Sequence, residues 1–98
     1  MISLPVKIET EAGKAELVFE VFEEDGRMIC GIYYLTAKIN LPPKAWLRAL
    51  RHELTKLQDI ARSAGCVEMR LRGRDWSRVL PDFEFIEGMP NGLRKVLE

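Results

Sequence analysis

Histidine occurs once in this chain, as His52, and cysteine only twice, as Cys30 and Cys66, which excludes a Cys/His zinc cluster built by this chain alone. Both cysteines sit inside apolar stretches rather than at paired loop positions, so they read as reduced core residues and not as a disulfide framework. No apolar run approaches the ~20 residues that span a bilayer, and Met1-Ile2-Ser3-Leu4-Pro5 lacks the basic and apolar regions of a signal peptide. An intracellular protein without a membrane or metal is therefore expected. No Ser, Cys or Asp stands at a recognisable catalytic spacing from His52, which reads as a surface residue. Excess basicity is missing too: 15 Lys and Arg balance 15 Asp and Glu. A general nucleic-acid-binding role is not expected from such a chain, and only a local patch could serve one.

What is present is enough for one small core. The 98 residues are 47% hydrophobic and 31% charged, as in an ordinary soluble domain, and a chain of this size gains stability from self-association or a partner. The zero net charge hides a division. Residues 1–36 carry seven acidic side chains against three basic ones, a net −4, whereas residues 37–98 carry twelve basic against eight acidic, a net +4. One acidic and one basic region of surface are expected, suited to a charged protein partner or to a second copy.

Two hairpins open the chain. Val6-Lys7-Ile8-Glu9-Thr10 alternates apolar and polar residues, Glu11-Ala12-Gly13-Lys14 turns, and residues 15–23 resume an extended pattern rich in Val and Phe. Asp25-Gly26 makes the second turn, and residues 27–37 form a third strand, apolar on both faces and therefore central, with cover on each side. Over residues 43–64 the period changes: Leu47, Leu50, Leu54, Leu57 and Ala61 recur at helical spacing, with Pro43 in the first turn and Gly65 as the C-cap. Residues 67–71 alternate again, and the helical crossover favours parallel pairing with the third strand. A short helix over residues 74–80, stopped by Pro81, and strands over 83–87 and 93–97 complete an α/β (α+β) mixed sheet of five to six strands, in the order β-β-β-α-β-α-β-β.

The densest candidate site is Arg70, Arg72, Arg74 and Arg78 around Trp76. Period two puts Arg70 and Arg72 on one strand face, and Arg74 and Arg78, four apart, share a face of the short helix. Arginine and tryptophan together form the composition of a protein-binding hot spot; the other reading has Trp76 in the core and the arginines paired with Glu68, Asp75 and Asp82. Trp46, one position before the Leu47 stripe, either caps the core edge or is exposed as part of the same interface. One long helix and one short one leave part of a sheet face uncovered, which points the same way.

The glycine-ended long helix, the strand after it and the short helix leading into Phe83-Glu84-Phe85 resemble the core of the GNAT acyltransferase fold. In wording, residues 73–83 are most similar to small GNAT-like proteins of tailed phages, some of them similar to internal virion proteins. The resemblance implies an acetyl-CoA pyrophosphate loop of the pattern Q/R-x-x-G-x-G/A before the long helix, because converging backbone N–H groups hold phosphate. Here that loop is Ala37-Lys38-Ile39-Asn40-Leu41-Pro42-Pro43-Lys44, which contains no glycine and two prolines, with Lys38 and Lys44 as point charges only. The tyrosine that serves the family as acid falls at Leu80, and the glutamate base has only Glu16, Glu20 or Glu68 as stand-ins, each expected on a solvated polar face. The family's first strand and following helices are missing or reduced to residues 2–10. These departures imply a non-catalytic GNAT-like phage or prophage protein without a cofactor, acting by protein contacts as a virion component or assembly factor, in the host cytoplasm or the virion. An inhibitor of a host enzyme and a reduced acyl-CoA-dependent N-acetyltransferase are the alternatives.

Overall fold

The computed structural model describes residues 2–40, 42–73 and 80–97, and within them one mixed six-stranded sheet carries a single helix. Strands β1 (Ile2–Thr10), β2 (Gly13–Glu24) and β3 (Arg27–Ile39) form the antiparallel meander. Asp25 (φ 52) and Gly26 (φ 76) both take the left-handed conformation, the type I′ geometry that matches the twist of the strands it joins. Helix α1 (Pro43–Ser63) crosses over to β4 (Glu68–Arg72), which pairs with β3 in parallel as the crossover predicts. A closing hairpin, β5 (Glu84–Phe85) and β6 (Leu93–Val96), inserts β6 beside β4 and gives the order β1-β2-β3-β4-β6-β5. β3 is central, as expected. The fifth strand is shorter than the expected 83–87, because Phe83 turns into the core instead of joining the ladder. Of the expected helix over 74–80, only Leu80 lies among the described residues.

Helix α1 ends in a Schellman motif: the Gly65 N–H bonds the Arg62 carbonyl at 3.0 Å, the Cys66 N–H bonds that of Ala61 at 2.9 Å, and Gly65 takes φ 85. That turn buries Cys66 and aims the chain into β4. The stripe that α1 buries is Trp46, Leu50, Leu54, Gln58 and Ala61, a row rotated from the expected one so that Leu47 and Leu57 lie half-buried at its flank. Leu17, Phe19, Cys30, Ile32, Met69, Leu71 and Leu93 meet it from the sheet. Trp46, a candidate interface residue from sequence, is 1% exposed and belongs to this core, so it drops out of the accessible surface. Its indole lies on Gly13, where an added Cβ would come within 3.0 Å of the ring and 2.5 Å of the Lys38 carbonyl. Burial pushes the Cys30 thiol up to about 12, with the neighbouring Cys66 adding to the shift, as suits an inert core residue.

Candidate binding surface on the open face of the sheet

Alternation along the strands sends the residues that do not meet α1 to the opposite face, and among the described residues no helix covers that face. Register sets its rows. Glu20 of β2, Gly31 of β3, Arg70 of β4 and Arg94 of β6 stand in one line; Phe22, Ile29, Glu68 and Val96 form the next; Val18, Tyr33 and Arg72 lie on the other side. The cover expected over both faces of β3 is present, among the described residues, on the α1 side alone; on this face Tyr33 stays exposed. Ile29 is 0% exposed although it faces away from the helix, sealed by its neighbours in register, Phe22 and Glu68.

Glu68 is the anchor of this surface. Sequence reading placed it on the polar face, either solvated or paired with the arginines; it is 1% exposed and shared by three of them, Arg70 through Nε, Arg27 at 3.5 Å and Arg94 at 3.6 Å. Those arginines come from three different strands, so the burial follows from register that local pattern does not carry. Arg70 also closes a two-pronged pair with Glu24, Nη1 reaching Oε1 at 3.2 Å and Nη2 engaging Oε2, while its guanidinium lies 5.9 Å from the centroid of the Phe22 ring. Hydrogen bonding to Arg70 holds the Glu24 carboxyl below the usual carboxylate range, and the same bond raises the Arg70 guanidinium above its own. Arg72 reaches Glu20 at 3.5 Å and lies 5.1 Å from the Tyr33 ring.

These pairs alter the expectation of one acidic and one basic region. Glu20 and Glu24 belong to the acidic part of the chain and Arg70 and Arg72 to the basic part, but β2 and β4 flank β3, so the two sets neutralise each other across the sheet. The open face is also less apolar than an uncovered sheet predicts. Large exposed apolar residues are spread along the sheet: Tyr33 and Val96 on this face, Leu35 and Ile39 on β3, and Ile2, Leu4 and Phe85 on the edge strands β1 and β5.

Of the remaining sequence candidates, Arg74, Trp76 and Arg78 lie outside the described residues. Asp82, offered as an arginine partner, binds Lys95 at 2.6 Å, which holds its carboxyl below the usual range; Lys95 also reaches Gln58 at 3.4 Å and so satisfies the polar member of the helix stripe. Leu80, at the position of the resembled family's acid, is a core residue at 3% exposure. At the entry to α1, Pro42 and Pro43 have no N–H, and the amides of Ala45 and Trp46 donate to the Pro42 carbonyl at 3.0 and 3.4 Å. Among the described residues there is no group of three side chains suited to a metal and no helix long and apolar enough to cross a membrane. Comparison with protein-family models, with curated proteins and with solved structures gives no match.

The feature that sequence reading missed is Gly31. Because Arg70 leans away from its own row to Glu68 and Glu24, a cavity of about 170 Å³ remains above this glycine, lined by Glu20, Phe22, Arg70, Arg72 and Met89. A glycine inside a strand that is apolar on both faces is the one signal that pointed to it.

Proposed function

We propose that this chain is a non-catalytic, GNAT-like domain that works by binding protein, as a component or assembly factor of a tailed-phage particle. The observation that carries the protein-binding part is the open face itself. Arginine and aromatic side chains are gathered there around a recess, the arginines already paired with Glu20, Glu24 and Glu68, which lowers the side-chain freedom to be lost when a partner docks. The α1 entry supports the non-catalytic part. Two of its first backbone positions have no hydrogen to offer, and two further amides already have an acceptor, which leaves a diphosphate little to converge on. The phage assignment rests on the wording of residues 73–83.

Calorimetric titration with acetyl-CoA is expected to give no saturable heat at millimolar ligand; a micromolar Kd would restore the acyltransferase reading. Tagged protein expressed during infection is expected to co-purify with phage structural proteins. Recovery of a single host enzyme in their place would contradict the assembly role and favour the inhibitor, which would use the same surface.

A further inference from the structure

We propose that the recess over Gly31 receives one aromatic side chain bearing an N–H or O–H group, tryptophan or tyrosine, presented by a protein partner. The inference rests on the protein-binding reading above and deepens it. Its starting point is that the backbone does not require glycine at this position. Gly31 is not among the residues with positive φ, and the nearest atoms a Cβ there would meet are the Phe22 ring at 3.4 Å and the Glu20 carboxylate at 3.6 Å, ordinary contacts. A central strand loses stability by carrying glycine, since the residue orders more backbone on folding and brings no side chain to pack. The position therefore keeps space that the fold has no use for.

Size and chemistry select the occupant. A volume of about 170 Å³ is close to the roughly 150 Å³ cavity that holds a benzene ring, and well short of the roughly 300 Å³ at which small-molecule and cofactor sites begin. Phe22 and Met89 supply an apolar wall, while Arg70 and Arg72 stand on the β4 side. Both guanidinium groups already lie near one ring each, Phe22 and Tyr33, and an entering ring would offer them a second face. Glu20 leans over the recess with, among the described residues, Arg72 at 3.5 Å as its partner, so its carboxylate has a position to offer an indole N–H or a phenol O–H. An aliphatic side chain would desolvate Glu20 without bonding it, and a cationic one would approach two arginines.

The test is an amide-resolved NMR titration of the full chain with N-acetyl-tryptophanamide, alongside the leucine and arginine analogues. Saturable shifts confined to the amides of Phe22, Gly31, Arg70 and Arg72 are expected with the tryptophan compound alone. Gly31→Val should abolish them while the melting temperature stays level or rises, because a β-branched residue suits a strand and the space is free. Gly31→Ala, which fills less of the recess, should weaken them and guards against a failure of the valine variant to fold. Absence of saturation with the tryptophan compound, equal shifts with the leucine or arginine analogue, or unchanged binding by a folded Gly31→Val chain would each overturn the inference. Loss of a natural partner in Arg72→Glu but not in Gly31→Val would overturn the recess alone; retention in Arg72→Glu would overturn the protein-binding reading beneath it.

Discussion

Replacing Glu68 by leucine is expected to destabilise the protein by about 3 kcal/mol, a large share of the roughly 5–15 kcal/mol typical of a folded domain. Leucine fits the volume, so the loss comes from charge. Arg27, Arg70 and Arg94 converge on one buried carboxylate, and its removal leaves three like charges around Ile29 with, among the described residues, Glu24 and Glu84 to share between them. Arg27 and Arg94 are 53% and 43% exposed and can turn to water, which keeps the effect at the lower end of the range for breaking a buried pair. Arg70 is more enclosed and carries most of the loss. The double variant Glu68→Leu, Arg70→Leu should recover much of it, since exchanging both partners of a buried pair for apolar groups is often close to neutral. Urea unfolding measures both: the midpoint should fall with an unchanged slope in the single variant and return in the double. A single variant within 0.5 kcal/mol or so of the parent would mean that Glu68 does not organise this face.

Trp46→Ala should remove about 3–5 kcal/mol, the range for truncating a large core aromatic. The indole fills the space between the first turn of α1 and Gly13 of β2, a site where no Cβ on the strand could fill the gap. Trp46→Phe is the informative companion. Nε1 is buried and has no hydrogen-bond partner among the described residues, a state that costs about 1–3 kcal/mol. Phenylalanine gives up some packing but removes that orphaned donor, so its net effect should stay under about 1 kcal/mol. If Trp46→Ala unfolds at the parental urea concentration, Trp46 is not the core residue described here.

Much of the fold was legible because its signals are local. Asp25-Gly26 marked a turn needing positive φ, the change from period two to helical spacing after Pro43 marked α1, and Gly65 marked its end. The parallel partner of β3 followed from the crossover alone. What stayed hidden depends on contacts distant in sequence. The α1 stripe was read one step aside because Leu47 and Leu57 looked more apolar than Trp46 and Gln58; Gln58 is buried only because Lys95 arrives from β6 to bond it. Likewise, counting charges revealed the acidic and basic parts, but not that β2 and β4 sit on either side of β3 and cancel them. Arg70 and Arg72 were found as candidates from sequence, and so was Glu68 as a partner; Glu24 and Glu20 needed the register.

Partner capture by matched charge variants on the two faces tests the central claim most directly. Arg72→Glu alters the open face, where it sets a second carboxylate against Glu20, and Arg48→Glu alters the exposed side of α1. Both sites are exposed enough for the fold to survive, since surface ion pairs are worth at most about 1 kcal/mol. The account predicts that protein bound by the parent chain during infection is lost from Arg72→Glu, at least about tenfold as for a hot-spot arginine, and retained by Arg48→Glu. Retention by Arg72→Glu together with loss from Arg48→Glu would place the working surface on the helix and contradict it.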